Sequence, residues 1–324
     1  MPGAGRVLLL TDPAMAGHRA PGHPERPQRA DAVAAGVADG ASIGGATLER
    51  RAVQPADAAA LERVHPAPYI ALLDDAARQG GGSIDADTYI GPESMAAARL
   101  AAGATIQAAI AAVSGEAEVA FAVVRPPGHH ARRERAAGFC LLNNVAVAVM
   151  ALRAAGLAQR IAILDWDVHH GDGTQAIFDA DPDLCYASTH QSPLYPGTGA
   201  ADDRGSGPGL GTKHNAPLSP GSGDAEFTAA WQATLLPAVE AFGPEAILVS
   251  AGYDAHRSDS LAELEVTAAG YRSVAEAVGR LAWVAGLAGV ALTLEGGYDL
   301  DALRESAAAT VAGLLAGLTG SEPA

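Results

Sequence analysis

Ile161-Ala-Ile-Leu-Asp165-Trp-Asp167-Val-His169-His170-Gly-Asp172-Gly173 decides how this chain is read. A short, unalternating apolar run ends abruptly in acids, histidines and glycine. Such a run reads as a strand buried on both faces of a parallel sheet. Three other segments repeat the pattern. Residues 119–124 run into Arg125-Pro-Pro-Gly-His129-His130, residues 246–249 into Ser250-Ala-Gly-Tyr253-Asp254-Ala-His256, and residues 290–294 into Glu295-Gly-Gly-Tyr298-Asp299. Sites in open α/β sheets form beyond the carboxyl ends of the strands. Four strand ends are therefore expected to bring Asp, His and Tyr side chains to one crevice, the set a metallohydrolase needs.

Working outward, residues 6–10 read as a first strand and Pro27 opens a helix, since proline suits a first helical turn. Helices are expected at 56–64, 68–78, 92–113, 143–155, 174–180, 225–242, 267–285 and 301–318. Strands are expected at 160–164 and 184–188. Residues 80–92 and the Gly/Pro-rich 191–223 read as loops, the second long enough to be functional. Alternating strands and helices predict an α/β fold around a parallel sheet. The motifs spread from residue 125 to 298 with no linker between them, so residues 1–324 are read as a single domain, its last six residues frayed.

The chain has 324 residues, 49% of them hydrophobic, and a formal net charge of −16. A duplex-binding face needs clustered basic residues. The nearest run, Arg132-Arg133-Glu134-Arg135, is short and interrupted by an acid, so nucleic acid is not an expected partner. Cationic substrates suit the overall field better. Cys140 and Cys185 form no CxxC or disulfide framework, which fits a reducing compartment. The N-terminal apolar run is short for a signal peptide, and the longest apolar stretch is taken as 281–294, short for a membrane span. A soluble cytoplasmic protein without a membrane partner is expected.

On an extended segment, residues two apart face the same side. Asp167 and His169 can thus approach one ion, with Asp165 behind them. Carboxylate and imidazole suit zinc and other divalent first-row metals. Asp254 is the natural third ligand, although a lone loop Asp is more often merely solvated. His129 and His130 can serve as a base and an acid if their partners differ, and Asp165 and Asp172 are available to pair with them. The Tyr298 phenol can hold an oxyanion, although Gly-Gly-Tyr alone is more often a simple turn.

These residues resemble the zinc-dependent histone deacetylase family, in the class II-like branch of bacterial histone-deacetylase-like amidohydrolases and acetylpolyamine amidohydrolases. The resemblance runs through His23-Pro-Glu-Arg-Pro-Gln-Arg29, Arg125-Pro-Pro-Gly-His-His130, Gly138-Phe-Cys-Leu-Leu-Asn-Asn144, residues 165–173, Tyr195-Pro-Gly-Thr-Gly199, residues 250–256 and Glu295-Gly-Gly-Tyr298. It implies a three-layer arginase/deacetylase-like fold. It implies one catalytic zinc on Asp167, His169 and Asp254, with His129, His130, Asp165, Asp172 and Tyr298 as the catalytic set. It further implies an acyl channel walled by Phe139 and Tyr195, with Gly138 and Gly297 beside them, a rim carboxylate at Asp87 and an acetate exit at Arg29. A structural potassium would use Asp165, Asp167, His169 and Ser188, partly through backbone oxygens, with a second position near Phe178. Asp172 departs from the Asn that many class II members carry, which puts the protonation of His130 in question.

The implied reaction is hydrolysis of an N-acyl amine, such as an acyl-lysine side chain or an acylated polyamine, with hydroxamates as inhibitors. A homo-oligomer stays open. Two rival readings remain at this point: a binuclear-manganese ureohydrolase of the arginase kind, and a non-hydrolytic acyl-amine binding protein.

Overall fold

Every residue of the strands Val119–Ala122, Ile161–Asp165, Ala246–Ala251 and Val290–Leu294 is buried. This is the behaviour expected of strands covered on both faces. The computed structural model describes residues 5–319. In chain order its elements are β1 (Arg6–Leu10), α1 (Gln28–Ile43), β2 (Thr47–Arg51), α2 (Ala58–Glu62), α3 (Ala67–Arg78), β3 (Gly82–Ser83), β4 (Tyr89–Ile90), α4 (Ser94–Val113), β5 (Val119–Ala122) and α5 (Asn144–Ala154). They continue with β6 (Ile161–Asp165), α6 (Asp172–Phe178), β7 (Leu184–Gln191), β8 (Lys213–Leu218), α7 (Asp224–Ala229), α8 (Leu236–Phe242), β9 (Ala246–Ala251), α9 (Ala268–Val284), β10 (Val290–Leu294) and α10 (Leu300–Leu318).

Eight strands form one sheet in the order β2-β1-β5-β10-β9-β6-β7-β8, parallel at every pairing. The four motif-bearing strands β5, β10, β9 and β6 are consecutive at its centre. After β6 the chain moves outward through β7 and β8, then returns to place β9 on the other side of β6. That reversal opens the crevice at the strand ends.

Side-chain alternation builds the layers. Val7 and Leu9 of β1 pack with Val37 of α1, Val278 of α9 and Val311 of α10. Leu8 and Leu10 face the other way, toward Ala101 of α4 and Val149 of α5. The expected three-layer α/β arrangement is what the chain adopts.

At the periphery three readings are corrected, and one strand, β2, was not anticipated. β2 (TLERR) is mostly exposed and polar, so it lacks the apolar signature of its neighbours. β8 (KHNAPL) lies within the segment read as loop and carries Pro217. Proline is confined to sheet edges because it cannot donate to the ladder, and β8 is an edge. The helix expected over 225–242 is divided into α7 and α8 by a π turn at Ala230–Leu235, just before Pro237. Missing one N–H, proline disrupts the regular i→i−4 pattern, and the wider turn absorbs the break. The 80–92 loop also holds the two-residue hairpin β3–β4.

Besides the apolar stretch 281–294, which the structure divides between the end of α9 and β10, one helix among the described residues, α4, is notably long and apolar. By length and composition it could cross a membrane, and 61% of that stretch is buried within the fold. Residues 320–324 of the tail expected to fray lie outside the described residues.

Candidate active site

Beyond β6 the chain bends at Asp167–His169 instead of staying extended as expected, with His169 N donating back to Asp167 Oδ1 at 2.9 Å, and the turn after β9 brings Asp254 to meet both side chains. One candidate ligand atom from each lies within 4.8 Å of the others. His169 Nδ1 is 3.2 Å from Asp167 Oδ1 and 3.3 Å from Asp254 Oδ2. Asp254 Oδ1 accepts from Val168 N at 2.9 Å. Its Oδ2 is buried with no hydrogen-bond partner. A buried carboxylate oxygen without a donor is costly, and a cation would satisfy it. The donor set of two carboxylates and one imidazole fits a divalent first-row ion.

Glycine lets the backbone close around these acids. A Cβ on Gly252 would fall 2.1 Å from Asp167 Oδ2, and one on Gly296 would fall 2.1 Å from Asp254 Oδ2. Gly296 N instead donates to Asp167 Oδ2 at 2.7 Å. Burial, with the Asp167 charge added, pushes Asp254 up to about 6. Burial opposes a charged His169, but the Asp167 and Asp254 carboxylates beside it outweigh burial and raise the ring to about 10.

His129 and His130 follow β5 with their rings 4.0 Å apart. His129 Nδ1 meets Asp165 Oδ2 at 3.1 Å, and His130 Nδ1 meets Asp172 Oδ1 at 2.9 Å. The two rings differ in charge. Burial disfavours a protonated His129, but the charges of Asp167 and Asp165 prevail and hold it well above the usual histidine range. Burial, joined by the His129 charge, drives His130 down to about 3 despite Asp172. Glu295 fixes this turn from below, accepting from Gly128 N (2.7 Å), His129 N (3.1 Å) and Ser250 Oγ (3.0 Å). His170, next to His169, bonds instead to Thr198 and Gln175 and belongs to the scaffold.

A cavity of about 270 Å³ joins these groups. Phe139, Tyr195, Leu194 and Leu261 wall it, and Asp167, His169, His129, His130 and Tyr298 also line it. Gly138 has φ 54°, and a Cβ there would strike the His130 ring at 2.3 Å. Phe139 itself sits at φ 67°, with its N–H donating to Thr88 Oγ1 at 3.1 Å. Its ring stands edge-on to Tyr298, 5.9 Å between centroids. Asp87 lies exposed at the rim.

Gly296, rather than the expected Gly297, lines this cavity. The Gly297 carbonyl accepts from Arg29 Nε, and Glu295 O accepts from Arg29 Nη2. Arg29 is fully buried, pairs with Glu25 at 2.8 Å, and places its guanidinium carbon 4.9 Å from the Tyr298 ring centroid. It therefore braces the tyrosine turn and does not line the channel. Ser188 sits on β7 opposite Asp165, its Oγ 3.0 Å from His190 Nδ1. Phe178 is buried at the end of α6.

Sequence reasoning missed several contributors. Asp259 accepts from Tyr298 N at 2.6 Å and so fixes the tyrosine backbone. Glu295 was quoted in its motif but given no role. Leu194 and Leu261 carry no signal beyond being apolar residues in loops.

Residues 23–314 match the histone deacetylase domain family. Histone deacetylase 15 of Arabidopsis thaliana is 40% identical over 297 residues, which cover 90% of this chain and 53% of that protein. The chain thus spans about half the length of this plant relative. A histone deacetylase-like amidohydrolase of Pseudomonas aeruginosa is 39% identical over 255 residues, 78% of this chain and 67% of its own. Among solved structures, an acetylpolyamine aminohydrolase from Burkholderia pseudomallei matches with a TM-score of 0.85 at 30% identity, covering 95% of this chain and 98% of that one.

Proposed function

The chain belongs to the histone deacetylase family, and from that premise we propose that it hydrolyses linear N-acyl amines at one zinc held by Asp167, His169 and Asp254. The observation that carries this reading is that Asp167 and His169 of the clustered triad, two differently partnered histidines and Tyr298 all line one cavity. Among the described residues a single group of this kind was found, which favours one ion over the pair a ureohydrolase needs.

When bound, zinc supplies positive charge that polarises an acyl carbonyl and makes water nucleophilic near neutral pH. The protein's own residues do the rest. Phe139 and Tyr195 hold the linear chain. Neutral His130 accepts a proton from the attacking water at Nε2, while its Nδ1–H is held by Asp172. A new C–O bond forms and the oxyanion takes the Tyr298 hydroxyl as donor. His130 then passes its proton to the amine as the C–N bond breaks, leaving a carboxylate and a free amine. His129, held charged by Asp165, stabilises the negative charge that develops. Arg29 is the proposed cation beside the exit of the released acid. Potassium is the proposed companion ion at Asp165, Asp167, His169 and Ser188, with a second near Phe178.

The amine is read as an acyl-lysine side chain or an acylated polyamine. The short β3–β4 hairpin adds no long insertion at the entrance, which leans toward a broader range. Turnover of a panel of acyl-lysine peptides and acetylated polyamines, with a linear aliphatic hydroxamate as inhibitor, tests the assignment. No turnover on any member by zinc-replete protein would sink it.

A further inference from the structure

We propose that Arg132 is a positioning residue for the hydrolysis, clamping Asp172 so that Asp172 holds His130 in register for proton transfer; this rests on the function proposed above. Arg132 Nε and Nη2 both donate to Asp172 Oδ2, at 3.0 and 2.7 Å. The other oxygen, Oδ1, is left for His130 Nδ1 at 2.9 Å. A guanidinium fork fixes a carboxylate in orientation as well as in charge.

The two carboxylates behind the histidines are held differently. Asp165 accepts from His129, from the Tyr186 hydroxyl at 3.0 Å and from Asp167 N at 3.2 Å. Asp172 has no backbone or hydroxyl donor among the described residues; His130 and Arg132 are its partners. Without Arg132, a nearly buried carboxylate would keep one bare oxygen and be free to rotate about its Cβ–Cγ bond.

The clamp is itself anchored. Arg132 N donates to Arg135 O at 2.9 Å, His65 Nδ1 meets Arg133 O at 3.0 Å, and Asn143 Nδ2 donates to Ala131 O at 3.0 Å. Arg133 and Arg135 are exposed and make no ion pair among the described residues, so the fork is specific to one arginine of the run. Arg132 does not line the acyl cavity; it borders a separate one with Asp172, Gln175 and Asp203. Its removal should therefore act on turnover and not on substrate binding.

The test compares Arg132→Ala and Arg132→Lys in the wild-type and Asp172→Asn backgrounds, with zinc content and folding matched. Arg132→Ala should lower kcat on the order of tenfold, with KM unchanged, and Arg132→Lys should recover part of the loss. In Asp172→Asn, which has no carboxylate to clamp, Arg132→Ala should cost little more. The second readout needs no turnover. In zinc-free protein, the downfield proton of His130 Nδ1, assigned by its absence in His130→Ala, should be present in wild type and lost in Arg132→Ala. An equal loss of kcat in both backgrounds, a raised KM at unchanged kcat, or a proton signal indifferent to Arg132→Ala would each overturn the proposal. A wild type that hydrolyses no acyl amine would instead remove the proposed function, and the proton signal would still judge the clamp.

Discussion

His129 and His130 are the same residue type one position apart, and their surroundings give them opposite charge states. His129 is pressed between Asp165 and Asp167, whereas His130 lies beside a charged neighbour and shares Asp172 with Arg132. Neutral His130 is fit to take a proton and charged His129 is not. His130→Ala should then be the more damaging of the two single variants, with more residual activity in His129→Ala. Tyr298→Phe keeps the ring and removes only the hydroxyl. Loss of one oxyanion donor costs roughly 10²–10³ in rate, and it should fall on kcat with little change in KM. Steady-state kinetics on variants of equal zinc content check both statements. Near-wild-type turnover by Tyr298→Phe would remove the oxyanion role, and greater damage from His129→Ala would exchange the histidine assignments. At this scale the acid–imidazole cluster of Asp167, His169 and Asp254 and the histidine pair were legible because each follows closely on an apolar strand. Asp259 and Arg132 were not, because their partners lie 39 and 40 residues away and no local pattern marks the pairing.

Elements were legible where burial is uniform and illegible where it is not. The central strands announce themselves as apolar runs, but β2 and β8 are edges whose outward residues are polar, and their sequences resemble loops. Helix packing shows another device hidden from hydrophobic periodicity. A Cβ on Gly40 of α1 would fall 2.5 Å from Ala308 O and 2.8 Å from Val311 Cβ of α10. α1 and α10 therefore approach closely only because glycine stands at the crossing. Gly40→Val should force the helices apart. Overpacking of this kind costs about 1–3 kcal/mol. Urea denaturation should show the lower midpoint. An unchanged midpoint would mean that the seam is slack.

For the whole molecule, buried ionisable groups set the pH range of stability. His18 and His65 are driven down to about 4, and His190 to about 3, in each case chiefly by burial. Each is neutral in the folded chain and protonates near pH 6.5 once unfolded. Their contribution is full above about 6.5 and is lost as pH falls toward 4 and 3. Urea midpoints should therefore decline across that window, and His65→Gln should flatten the decline. A slope unaffected by the substitution would show that His65 does not titrate on unfolding. The candidate metal triad makes a separate demand. Asp167 and Asp254 lie buried beside one imidazole, and Asp254 Oδ2 has no donor. A ligand that binds the folded state alone stabilises it by mass action. Chelation should thus lower the melting temperature as well as abolish turnover, and one equivalent of zinc should restore both together. Asp254→Asn should melt nearly alike with and without added zinc, since it weakens the site and lessens its unpaired charge. Recovery that needs two tightly held equivalents per chain would move the assignment to a binuclear ureohydrolase. Turnover that survives complete removal of metal would leave the triad without its catalytic role.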